Sequence, residues 1–182
     1  MTSLLVIQFF FISILGTLLH FAYDWSNHYF IFSIIGAVNE STWEHLKMGI
    51  FPFFFWFIFR SLFFQMSNNF FGNFLALSYF ILSISTIFYS YKHFTKKAIL
   101  PVDISNFYQG VFFGSLIENK IIGLSFPRYI NFFGGIGTLV ILILCLKCTY
   151  YPFEFFLMQD PITKLHGIKG HSKCKIKKKL IN

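Results

Sequence analysis

The feature that most constrains this chain is a series of long apolar runs separated by short polar segments. A helix needs about 20 predominantly apolar residues to cross the hydrocarbon core of a bilayer. Runs of about that length predict transmembrane spans near residues 4–23, 43–66, 70–91, 103–122 and 129–146. The apolar piece 29–38 is too short to span, so it predicts an interfacial or re-entrant segment. The expected fold class is an all-α membrane protein, a bundle of about five transmembrane helices.

Composition supports lipid as the main surrounding of this bundle. Apolar residues make up 55% of the 182 residues and charged residues only 12%, whereas a soluble domain carries about 25% charged residues. We therefore expect a single transmembrane domain over residues 1–156, followed by a basic cytoplasmic tail over 157–182.

Basic residues are concentrated in the predicted tail, where seven of the fifteen lie between Lys164 and Lys179. A basic tail without a helix-turn-helix or zinc-finger spacing argues against nucleic acid and favours anionic lipid headgroups as the partner. Lys and Arg also set the orientation of membrane proteins. With the N-terminus outside, twelve basic residues are cytoplasmic and three external. We expect a multi-pass protein of the cell membrane with its N-terminus outside and its C-terminus in the cytoplasm.

One dense polar cluster interrupts the apolar pattern between His20 and Lys47. His20 and Asp24 are four residues apart and share a face of the first helix. Glu40, Glu44 and Lys47 fall within one narrow stripe at the start of the second span. These positions predict a ligand or ion pocket between the first two spans, near the cytoplasmic side. Its expected members are His20, Asp24, Asn39, Glu40, Glu44, His45 and Lys47.

Three interpretations of this cluster stay open. Imidazole and carboxylate ligands suit zinc, iron or manganese, so a divalent cation held by His20, Glu44 and His45 is one hypothesis. Proton relay or binding of a polar substrate group is the second, because ionisable residues inside a membrane are candidates for function. In the third, structural interpretation, Ser41 and Glu44 form a capping box at a helix N-terminus. That interpretation leaves His20 and His45 unexplained.

Two other patterns are weaker. Arg60 lies within the second span and is expected to reach the external interface, with Glu118 as its partner. Cys145 and Cys148 form a C-x-x-C that could bind zinc together with two groups of the tail, His171 and Cys174. Buried apolar thiols are the favoured interpretation of the cysteine pair.

Three short windows, residues 20–26, 38–47 and 160–168, carry motifs that resemble those of an uncharacterised family of small bacterial multi-pass membrane proteins, a domain of unknown function. The family signature NES-x-WEH-x-K resembles the run Val38-Asn39-Glu40-Ser41-Thr42-Trp43-Glu44-His45-Leu46-Lys47. An H-F-x-Y-x-W-S-like end of the first helix is similar to residues 20–26, and a D-P-x-T…G-I stretch is similar to residues 160–168. The resemblance implies a membrane protein and marks these residues as characteristic, but it implies no reaction.

The sequence thus predicts an integral membrane protein that binds or passes a small ligand or ion through the polar pocket. A metal-dependent intramembrane enzyme and a structural or assembly protein without a site are the alternatives. No Ser-His-Asp order, P-loop or dinucleotide fingerprint favours an enzyme, and no catalytic residue is assigned. Five short helices without an internal repeat are few for a transporter, so a homo-oligomer is an expected way to reach that size.

Overall fold

The computed structural model describes residues 2–64 and 69–171, and these ranges contain helices but no strand. Two short 3-10 helices, Phe156–Met158 and Gly167–Gly170, follow the α-helices. The α-helices are α1 Thr2–Trp25, α2 Phe30–Ile35, α3 Thr42–Phe63, α4 Asn69–Thr95, α5 Leu100–Ile122 and α6 Arg128–Tyr150. The predicted all-helical class is confirmed for the described residues.

Four of the described helices are long and apolar enough to cross a membrane. They are Ser3–Trp25 within α1, Thr42–Phe63, Asn69–Thr95 and Arg128–Tyr150. Helix α5 coincides with the predicted fourth span, but it contains Asp103, Glu118 and Lys120 and is not among the four. The six-residue α2 lies inside the predicted segment 29–38. Its interfacial or re-entrant placement and the count of five spans stay predictions.

The chain divides into two compact units. Of the described residues, unit 1 contains 2–15 and 49–140, and unit 2 contains 16–48 and 141–171. The divisions fall inside α1, α3 and α6, so each of these helices contributes residues to both units.

Unit 1 is packed through close approaches at glycine. A Cβ atom added at Gly134 of α6 would lie 2.5 Å from the Cα of Phe71, and one at Gly114 of α5 would lie 2.9 Å from the Phe53 ring. Small residues allow helix backbones to come this close in lipid.

A buried polar network crosses the core of unit 1. The Gln8 side-chain amide donates to a Glu118 carboxylate oxygen, and Asn119 Nδ2 donates to Gln8 Oε1 at 2.7 Å. Arg60 Nη1 donates to Asn119 Oδ1 at 3.3 Å, and Glu118 interacts electrostatically with the Arg60 guanidinium. The prediction that Arg60 reaches an interface is wrong, because the residue is only 2% exposed and is held in this network.

Unit 2 combines the end of α1, α2, the start of α3, the end of α6 and the segment 156–171. Part of the segment assigned to a basic tail is therefore folded onto helical residues. Asp160, Thr163 and His171 are buried there. The tail lysines from Lys173 to Lys179 lie outside the described residues.

Candidate functional site

The signature segment 38–41 is joined to the C-terminal segment by polar contacts. Asn39 Nδ2 donates to the Gly167 carbonyl at 2.7 Å, while Asn39 Oδ1 accepts from the Ser41 amide at 2.8 Å. The Glu40 amide donates to Asp160 Oδ2 at 2.9 Å. The Asn39 side chain thus joins the signature segment to the C-terminal segment. Its amide group, predicted to face a pocket, is bound to the protein backbone instead.

Glu44 and Lys47 form a fully buried ion pair. Lys47 Nζ lies 2.6 Å from Glu44 Oε2 and donates to the Ser33 carbonyl at 2.9 Å and to Thr149 Oγ1 at 2.8 Å. These three contacts use every donor of the ammonium group. The Glu44 carboxylate also accepts from the Val38 amide at 3.1 Å. The two side chains are 0% and 1% exposed, so this pair stabilises unit 2 from within and does not face a ligand.

The predicted capping box is only half formed. The Glu44 amide donates to Ser41 Oγ at 3.4 Å. The reciprocal contact is replaced, because the Ser41 amide donates to Asn39 and the Glu44 carboxylate contacts Lys47. The predicted helical stripe of Glu40, Glu44 and Lys47 is wrong, since α3 begins at Thr42 and Glu40 precedes it.

The side chains that do converge are His20, Glu40 and His45, which we call the triad. Their nearest nitrogen and carboxylate oxygen atoms all lie within 4.8 Å of one another. His45 Nε2 lies 3.5 Å from Glu40 Oε2, and the His20 and His45 rings are 5.2 Å apart between centroids. The His45 and Glu40 side chains are 37% and 49% exposed. The triad is therefore reachable from outside unit 2.

The backbone fixes the orientation of the His45 ring. Nδ1 lies 2.9 Å from the Ser41 carbonyl oxygen. Because a carbonyl oxygen can only accept, Nδ1 carries the proton, and the neutral ring then has its lone pair on Nε2, which faces Glu40. A metal-binding histidine is commonly oriented by such a contact through its other ring nitrogen. His20 Nδ1 is buried and makes no hydrogen bond within the described chain.

The structure thus separates the predicted site residues into three groups. Asn39, Glu44 and Lys47 make internal contacts, while His20, Glu40 and His45 converge. The metal set predicted from sequence is His20, Glu44 and His45. In the structure, Glu40 supplies the carboxylate beside the two histidines, whereas Glu44 pairs with Lys47. Asp24 instead lies beside His28 and His171, which sequence reasoning did not include in the pocket.

The predicted cysteine and tail cluster is not assembled among the described residues. Cys145 and Cys148 are buried free thiols. His171 packs against the rings of Tyr23 and His28. Cys174 lies outside the described residues.

These features define a class: an all-helical chain compatible with a multi-pass membrane protein, with a partly exposed histidine–carboxylate triad. The chain belongs to the family described as "Family of unknown function (DUF6512)", which matches residues 2–168. The predicted membership in a family of unknown function is confirmed, while the NES-x-WEH-x-K signature and a bacterial origin stay predictions. No curated protein and no solved structure matches the chain significantly.

Proposed function

We propose that this chain is an integral membrane protein that binds a divalent transition-metal ion, such as Zn²⁺, at His20, Glu40 and His45. The observation that carries the proposal is the convergence of two imidazoles and one carboxylate with their ligand atoms within 4.8 Å. Neutral imidazole nitrogen and carboxylate oxygen are ligands that zinc accepts in proteins.

The separation of the ligand atoms supports this proposal. Two atoms bound at about 2.0–2.1 Å to one tetrahedral zinc ion lie about 3.4 Å apart. His45 Nε2 and Glu40 Oε2 are 3.5 Å apart, so an ion could contact both with little rearrangement. The alternative is a simple surface ion pair, which contributes at most about 1 kcal/mol to stability.

The distribution of side chains supports the membrane part of the proposal. Charged and amide side chains such as Glu118 and Gln8 are buried, while Leu62 and Phe132 are 74% and 67% exposed. Water as the surrounding solvent would penalise such an arrangement, whereas a lipid bilayer favours it. The proposal retains an external N-terminus, anionic lipid headgroups as partners of the basic tail, and assembly into a homo-oligomer.

The test is metal binding by the full-length protein in detergent. After removal of metal by chelator, we expect Co²⁺ to bind and to give the visible absorption of a tetrahedral site. The His45→Ala and Glu40→Gln variants should each lack the Co²⁺ absorption that arises from the triad. His93→Ala and Glu154→Gln are matched controls at exposed positions and should retain the native signal. Unchanged Co²⁺ binding and absorption in both triad variants would overturn the proposal.

A metal-dependent enzyme is the second candidate, because three protein ligands leave a coordination position open. Catalytic zinc sites use three protein ligands and keep the fourth position for water or substrate. If the triad is of this kind, azide should shift the part of the Co²⁺ absorption that His45→Ala removes. An absorption spectrum insensitive to azide would favour a closed binding site.

A further inference from the structure

A second group of ligand atoms lies in unit 2 and shares no residue with the triad. It consists of Asp24 near the end of α1, His28 in the following turn, and His171 from the C-terminal segment. Their ligand atoms also lie within 4.8 Å of one another. Asp24 Oδ1 is the common neighbour, at 3.3 Å from His28 Nε2 and 3.4 Å from His171 Nε2.

The His171 ring is oriented as that of His45 is. Its Nδ1 lies 2.9 Å from the Val38 carbonyl oxygen, so Nδ1 carries the proton and the neutral ring has its lone pair on Nε2. The side chain is only 9% exposed. Its Nε2 is buried and makes no hydrogen bond in the described chain, although Asp24 Oδ1 is 3.4 Å away. A lone pair facing a carboxylate oxygen is unfavourable unless a metal ion or a proton lies between the two atoms, and the proposal takes the metal ion.

The backbone conformation at Asn27 and His28 places the His28 ring beside Asp24. Asn27 and His28 have φ angles of 54° and 66°, two consecutive residues in the left-handed region. Asn and His are among the non-glycine residues that adopt this conformation most often. The turn ends α1 and directs the His28 ring towards Asp24, one helical turn earlier.

We propose that Asp24, His28 and His171 form a second site for a divalent transition-metal ion of the zinc type. The two nitrogen–oxygen separations of 3.3 and 3.4 Å match the distance of about 3.4 Å between ligands of one tetrahedral zinc ion. The site connects the end of α1 to the C-terminal segment. Bound metal therefore holds residues 167–171 against the rest of unit 2.

The number of bound ions tests this proposal. Full-length protein in detergent, dialysed against Co²⁺, should bind two ions per chain by elemental analysis. His28→Ala and His171→Ala should each bind one, whereas His166→Ala, a control in the same segment, should bind two. His28 is the safer variant, because its side chain is 37% exposed.

The same measurement distinguishes this proposal from that for the triad. Loss of one ion in His45→Ala but none in His28→Ala and His171→Ala would overturn the second site and leave the triad standing. Loss in His28→Ala but none in His45→Ala would overturn the triad alone.

Protection of the C-terminal segment gives a readout that does not count ions. Lys169 is exposed and lies two residues before His171. If opening of the segment requires release of the ion, Zn²⁺ at 100 times its dissociation constant should slow trypsin cleavage after Lys169 about 100-fold. His28→Ala should abolish this effect, and His93→Ala should preserve it. A cleavage rate unaffected by Zn²⁺ in the native protein would contradict the proposal.

Discussion

Polar side chains are arranged differently in the two units. In unit 1, Gln8, Arg60, Glu118 and Asn119 are buried and contact one another. In unit 2, the triad is partly exposed, and the Nδ1 proton of His45 is held by a backbone carbonyl while Nε2 faces Glu40. The network of unit 1 is enclosed within the protein, whereas Glu40 and His45 of the triad are partly exposed.

The difference shows that ionisable character alone does not identify a ligand site. Glu44 and Lys47 also belong to unit 2, yet their pair is as enclosed as the network of unit 1. What distinguishes the triad is its exposure, since His45 and Glu40 are 37% and 49% exposed while Glu118 and Glu44 are buried. Substitutions should therefore separate into those that reduce stability and those that remove metal.

The largest loss of stability is expected from Lys47→Met. Removing the ammonium group leaves the Glu44 carboxylate buried without its cation, which typically costs about 3–5 kcal/mol. Thermal unfolding of the full-length protein in detergent measures the effect.

The double variant of Lys47→Met with Glu44→Gln is the control. Because it removes both charges, it should recover part of the lost stability. Equal losses in the single and double variants would show that the ion pair is not the reason, and that the enclosure of Lys47 matters through packing alone.

A smaller loss is expected from Gln8→Ala in unit 1. The substitution removes the amide group that donates to Glu118 and the amide oxygen that accepts from Asn119 Nδ2. A buried polar group left without its partner costs about 1–3 kcal/mol. Ser3→Ala, at an exposed position of the same helix, should have little effect. Co²⁺ binding should be native in both variants. A loss of metal with Gln8→Ala would break the distinction between the two units.

Features of the fold and the site that depend on neighbouring residues were predictable from sequence, whereas contacts between residues far apart along the chain were not. Length and hydropathy predicted the helices, because these properties act within one segment. The closeness of His20 to the signature could be expected from two adjacent apolar segments. The position of His171 beside Asp24 could not, since the pair is 147 residues apart and no local pattern indicates it.

The different roles of Glu40 and Glu44 within the signature could not be predicted from the sequence either. Glu44 and Glu40 are the same residue type, four positions apart. One lies inside α3 and pairs with Lys47, and the other lies before the helix and faces His45. The start of α3 at Thr42 decides between these roles, and a sequence pattern does not fix a helix boundary to the residue.

The smallest loss of stability is expected from His45→Ala in metal-free protein. The ring is 37% exposed and its contact with Glu40 is a surface pair, so the change should cost less than about 1 kcal/mol. Metal should amplify the difference, because an ion at 100 times its dissociation constant stabilises a native site by about 2.7 kcal/mol. Thermal unfolding with and without Zn²⁺ should therefore show a smaller metal-induced shift in the variant than in the native protein. If metal-free His45→Ala instead lost as much stability as Lys47→Met, the ring would be a packing element like the enclosed pair. The contrast within unit 2 between the buried Glu44–Lys47 pair and the partly exposed triad would then no longer hold.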